Sequence, residues 1–184
     1  MKKVDCKKRL VQCRANLFFG FLGIESLKQA PRSELLKIDH VVIQDASVGY
    51  LQRVEFGDIA LILRDDNNWE TTRQEFAKML LRMFILDSFE IIRKYCAISR
   101  QMALLKGQSW YDFASIMRNC CGHNYKFEFW PSTIEKLTKG PAQWRGKEIN
   151  LSMNGTDWML SWFAFKEAND LYWDMMDTLE ETLK

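Results

Sequence analysis

Arg118-Asn119-Cys120-Cys121-Gly122-His123 sets a permanent cation and a proton-transfer group five residues apart. An arginine guanidinium is a planar fork that matches phosphate oxygens, and it stays charged at any physiological pH. Histidine is the side chain whose ordinary pKa lets it accept and return protons near neutrality. Between them they offer charge stabilisation and a proton shuttle, the two needs of a phosphodiester cleavage that uses no metal. The competing reading of the same residues is structural: a surface arginine, with a histidine placed favourably against a helix C-terminus.

The preceding residues, Ser109 to Met117, have the spacing of an amphipathic helix, so the helix is expected to run from Trp110 to His123, with Gly122 stopping it. On an unbroken helix Asn119 and His123 share a face, whereas Arg118 and His123 stand apart. A distorted helix end at Gly122 is what would bring all three together. Upstream, residues 69–104 read as one long helix. Phe76, Leu80, Phe84, Ile91, Tyr95 and Ile98 form its main stripe, widened by Met79, Met83, Leu86 and Phe89. Asp87 and Glu90 fall among these apolar residues, and a charge there needs a partner. Arg118 is the expected one.

With these residues in place, the chain resembles the HEPN domains, helical bundles of toxin–antitoxin, abortive-infection and other defence proteins that carry an R-x4-6-H signature, often with Asn after the Arg. The resemblance extends over residues 84–130, and Trp144-Arg145-Gly146-Lys147-Glu148-Ile149 is similar to a tail of some bacterial relatives. It implies a homodimer in which two motifs face each other and cleave RNA by attack of the ribose 2′-hydroxyl, leaving a 2′,3′-cyclic phosphate. Arg118, Asn119 and His123 would be catalytic. Asp87 or Glu90 would support Arg118, and Asn124 and Tyr125 would line the substrate pocket, although packing is the default role for Tyr125. No metal or cofactor is implied, and an antitoxin or regulatory protein is a possible partner. The alternative is a non-catalytic HEPN-like interaction or nucleotide-binding module.

Composition sets the remaining bounds. A chain of 184 residues, 47% hydrophobic and 13% aromatic, can bury a core and is read as a single domain, with the HEPN-like core at about 69–184 and a helical extension over about 1–65. A net charge of +2 gives no argument for nucleic acid by itself. The basic start (Lys2, Lys3, Lys7, Lys8, Arg9, Arg14) and the acidic last helix (Asp170, Asp174, Asp177, Glu180, Glu181) read as solvated faces, with RNA steering by the basic start as the minority reading. Five cysteines, two of them adjacent, fit reduced buried thiols rather than disulfides or zinc ligands. Neither a signal peptide nor a membrane span is expected, so a cytoplasmic location is.

The expected fold is mainly α: a bundle of four to five helices with a small β hairpin in the C-terminal third. Helices are expected over residues 5–29 and 161–183, the latter with Ala168, Leu171, Met175 and Leu179 on its apolar face. Asn154-Gly155 is the strongest hairpin signal, and Arg145-Gly146 marks a turn. Residues 38–63 are ambiguous, with strand favoured at Val41-Val42-Ile43 and helix possible from Phe56 to Leu63.

Overall fold

The computed structural model describes residues 1–29, 32–35, 37, 40–45, 50–55, 57, 64–122, 125–158 and 162–184. In chain order its elements are α1 (Lys3–Gln29), α2 (Arg32–Leu35), β1 (His40–Asp45), β2 (Tyr50–Glu55), α3 (Asp66–Ile98), α4 (Met102–Lys106), α5 (Tyr111–Cys120), α6 (Pro131–Lys139), β3 (Ala142–Trp144), β4 (Lys147–Ile149) and α7 (Phe165–Asp177). The protein is mainly helical, with a small antiparallel hairpin in its C-terminal third. Two compact units emerge, residues 19–77 and residues 1–18 with 78–184. The opening turns of α1 group with residues 78–184.

In the unit formed by residues 19–77, β1 and β2 pair antiparallel from His40 opposite Glu55 to Asp45 opposite Tyr50. The β-branched run Val41-Val42-Ile43 resolves towards strand, as such side chains prefer. The helix considered for Phe56–Leu63 falls, apart from Gly57, outside the described residues. At the start of α3 the Asp65 carboxylate accepts the amides of Asn67 and Asn68 at 2.9 and 3.0 Å and so caps the helix.

In the core unit, α1 buries Cys6, Leu10 and Leu17. Its polar side holds the last helical turns: Lys7 pairs with Glu180 at 2.5 Å, Lys3 donates to the Leu183 carbonyl at 2.5 Å, and Arg14 donates to Asn169 at 3.1 Å. The basic start and the acidic end therefore meet while staying half-exposed. The buried face of α3 is Leu81, Phe84, Ile85, Ser88, Phe89, Ile92, Tyr95 and Cys96. Phe76, Met79, Met83 and Ile98, expected inside, are exposed. The seam is rotated from the expected stripe because Ser88 and Cys96 belong to it.

Nor does α3 run on to residue 104. Arg100 adopts a left-handed φ of 59°, and Gln101 N–H reaches back to the Cys96 carbonyl at 2.8 Å while Arg100 N–H bonds Ala97. This is a Schellman ending with arginine where glycine is usual. The hairpin also moves. β3 and β4 are joined at Arg145-Gly146, whose φ values of 44° and 78° are both positive, the requirement of a type I′ turn. Asn154-Gly155 instead makes a type II turn, with Asn154 at φ −57°, ψ 128° and Gly155 at φ 83°. The 3₁₀ turn Leu151–Met153, begun by Asn150 accepting from the Ser152 amide, curls the chain before a strand can form there. α7 starts later than expected, at Phe165, with Phe163 buried just ahead of it.

Aromatic packing closes the core. Phe113 is fully buried, with ring centroids of Trp144, Trp162 and Phe163 at 5.1, 5.8 and 6.1 Å. Trp158, also fully buried, packs edge-on to Phe163. No helix among the described residues is long and apolar enough to cross a membrane.

All five cysteines are free thiols, and four are buried. Burial pushes Cys6 and Cys120 from 9.0 up to about 12, and Cys96 up to about 11. An unfolded chain loses these protons near pH 9, and the folded protein only at higher pH. The stability they confer is present below pH 9 and declines as pH rises through that window, by about 1.4 kcal/mol per pH unit for each thiol. Denaturant unfolding at about pH 8 and about pH 10 should show this loss, and alanine at Cys6, Cys96 and Cys120 should flatten it.

Candidate functional site

Arg118 stands in the last turn of α5, the helix whose buried side is Tyr111, Phe113, Ala114, Ile116, Met117 and Cys120. That face anchors the helix and leaves Arg118 and Asn119 at its margin, both partly exposed. Nη2 of Arg118 lies 2.6 Å from Oε1 of Glu90, a close ion pair bent too far to be a directed hydrogen bond. Nη1 donates to Asn119 Oδ1 at 3.0 Å. Nε is buried with no hydrogen-bond partner among the described residues.

Glu90 is shared. Its other oxygen, Oε2, accepts from Nε and Nη2 of Arg93 at 3.0 and 2.7 Å. Two guanidinium groups on one carboxylate leave an excess positive charge, and this suits an anionic ligand. Arg93 was not singled out from the sequence, although its spacing of three from Glu90 on one helix was the available signal. Of the two carboxylates considered, Glu90 is the one that meets Arg118. Asp87 lines a small cavity with Arg9, Cys13, Glu90 and Lys94, away from Arg118, and burial raises its carboxyl pKa from the ordinary carboxylate value.

The exposed side of Arg118 opens on a cleft of about 430 Å³ lined by Leu86, Arg118, Asn119, Gly122, Trp130 and Ser132. Trp130 and Ser132 are contributed by the start of α6; the sequence marks Trp130 only as the last of the alternating aromatics Tyr125, Phe127, Phe129 and Trp130, and does not mark Ser132. Tyr125, expected at the substrate, is not among the lining residues. Its φ is 63°, its carbonyl accepts the Trp158 amide at 3.2 Å, and Lys78 lies 5.9 Å from its ring centroid. Gly122 also departs from expectation. The last helical residue is Cys120, the cap is Cys121 in a right-handed conformation, and Gly122 N–H bonds the Asn119 carbonyl at 3.0 Å without a left-handed φ. His123 and Asn124 lie outside the described residues.

Among the described residues no cluster of three or more His, Cys, Asp or Glu side chains is placed to hold a metal. The arrangement can bind an anion through Arg118 and the Asn119 amide, with Glu90 and Arg93 fixing the guanidinium from behind. No protein family, curated protein or solved structure matches this chain.

Proposed function

We propose that the protein is a metal-independent endoribonuclease of the HEPN type, acting as a homodimer with two R-N-x-x-x-H motifs at a shared site, in a toxin or defence role. The observation that carries this reading is Arg118, held by Glu90 and Asn119 at the wall of an open cleft, five residues before His123. In this scheme His123 of one protomer takes the proton of the ribose 2′-hydroxyl as the new O–P bond forms. Arg118 stabilises the charge on the pentacoordinate phosphorus. The bond to the 5′-oxygen then breaks as that oxygen takes a proton back from the shared site, where a single His123 can serve in turn as base and acid. The products are a 2′,3′-cyclic phosphate and a 5′-hydroxyl. Asn119 shares in phosphate binding or orients His123, and an antitoxin or other regulatory protein would restrain the activity.

A second reading is a non-catalytic helical module binding a protein or nucleotide. It is favoured by the degree to which Arg118 is already satisfied, with a carboxylate at 2.6 Å and an amide oxygen at 3.0 Å.

One experiment separates them. Purified protein is incubated with single-stranded RNA in EDTA. Cleavage is expected to persist, to yield cyclic-phosphate ends, and to stop when the scissile ribose is replaced by deoxyribose. Mixed Arg118→Ala and His123→Ala protomers should recover activity over either homodimer, since one composite site then keeps both groups. Loss of cleavage on chelation that a divalent ion restores would overturn the mechanism. A monomer in sedimentation would overturn the shared site, and intact RNA throughout would leave the binding module.

A further inference from the structure

Glu90 divides its two oxygens unequally. Oε2 accepts from Nε and Nη2 of Arg93 at 3.0 and 2.7 Å, while the buried Oε1 accepts no hydrogen bond among the described residues. Arg118 stands on that second side. Its Nη2 lies 2.6 Å from Oε1 as an undirected ion pair, and its buried Nε also lacks a hydrogen-bond partner among those residues. A guanidinium carries five N–H groups, and the directed bond that Arg118 makes is the one from Nη1 to Asn119 Oδ1. We infer that Arg93 is a positioning residue for the cleft: by holding Glu90 it loosens the carboxylate's grip on Arg118, so that an entering phosphate can draw that guanidinium away. This rests on the anion-binding half of the ribonuclease reading above.

Two cations compete here for one negative charge. Arg93 and Glu90 stand three residues apart on α3, so a single helix presets their pairing. Two N–H groups of Arg93 converge on Oε2, and such charge-assisted bonds satisfy much of the carboxylate. Arg118 comes from a different helix, α5, and meets what is left of that charge. An anion in the cleft of about 430 Å³ beside Arg118 competes with Glu90 for the same guanidinium. Without Arg93 the whole charge of Glu90 would fall on Arg118, and the ligand would have to break a stronger pair. Lys94 supplies an internal comparison. It follows Arg93 on α3 and lines the small cavity that Glu90 also lines, yet the cations paired with Glu90 are Arg93 and Arg118.

The test is a double-mutant cycle read with inorganic phosphate. Phosphate is titrated into wild type, Arg93→Gln, Glu90→Gln and the double variant. Binding is followed by NMR on the Arg118 Nε–H resonance, identified by its absence in Arg118→Lys. Arg93→Gln is expected to weaken binding about 5-fold, the scale of a partly exposed ion pair, and Glu90→Gln to strengthen it. When Glu90→Gln is already present, Arg93→Gln should cost less than about 2-fold, since both act through one contact. Lys94→Gln removes the same charge and should stay within about 2-fold of wild type. Arg93→Lys keeps the charge without the converging N–H groups and should fall between wild type and Arg93→Gln. If circular dichroism shows Arg93→Gln unfolded, Arg93→Lys with and without Glu90→Gln completes the same cycle. With RNA, Arg93→Gln should raise KM by the same factor and leave kcat within about 2-fold, because Arg118 must be released for substrate and transition state alike.

An equal loss on Arg93→Gln with and without Glu90→Gln, or an equal loss in Lys94→Gln, would reduce Arg93 to a general positive field and overturn the assignment. Phosphate binding unchanged in Arg93→Gln, or none at Arg118 in wild type, would overturn it too. The coupled cycle in a protein that leaves RNA intact would uphold the role of Arg93 and remove the catalytic reading. Cleavage that depends on His123, with no coupling in the cycle, would do the reverse.

Discussion

Alanine at His123, and separately at Arg118, is expected to lower RNA cleavage by about 100-fold or more, the usual consequence of deleting a proton-transfer group or a transition-state charge contact. The two variants should stay folded. For Arg118 the reason lies in how Glu90 is held: with Arg118 removed, Oε2 keeps both bonds from Arg93, so the carboxylate is not left without a cation. The lost pair is partly solvated, its side chains 38% and 26% exposed, and is worth about 1 kcal/mol or less. Arg118→Lys keeps the charge but not the fork and should recover only a fraction of the rate. Cleavage assays alongside thermal melts decide the matter. Folded and fully active variants would defeat the site assignment, whereas an unfolded Arg118→Ala would make the arginine structural.

The largest effect on stability is expected at Phe113. Its ring is fully buried between Trp144, Trp162 and Phe163, all large side chains whose bulk cannot collapse into the space a methyl group leaves. Phe113→Ala should cost about 3–5 kcal/mol, and Tm should fall by about 10 °C. Phe113→Leu, which retains more of the volume, should cost less than half as much. A shift of only a degree or two for alanine would mean that the aromatic cluster is not the centre of this core.

Local charge logic carried far along this chain, and turn chemistry less far. Glu90 amid apolar residues announced that it needed a cation, and an arginine two elements later supplies it, because a partly buried carboxylate is too costly to leave unpaired. The mainly helical class and the apolar face of the last helix followed from spacing alone. By contrast, Asn154-Gly155 was the stronger dipeptide on paper, yet Arg145-Gly146 forms the type I′ turn. Competition with the Asn150-capped 3₁₀ turn decides between them, and that depends on what each segment packs against. The end of α3 was hidden for a similar reason: Arg100 is an unusual residue to close a Schellman motif. Phe127 and Phe129 are buried while Trp130 beside them is 57% exposed, a difference that a run of aromatic residues does not carry on paper.

The core unit is discontinuous in sequence, and Arg14 reaches Asn169 across 155 residues. During synthesis at about 5–20 residues per second, the first helix leaves the ribosome roughly 10–30 seconds before the helix that covers it. Throughout that interval Arg14 and Phe18 have no α7 to contact. Closing so long a loop makes this a late and slow contact, one that local helix formation cannot hasten. A polypeptide interrupted before α7 therefore lacks both the Arg14–Asn169 hydrogen bond and the edge-on Phe18–Phe165 ring pair that tie the first helix to the last.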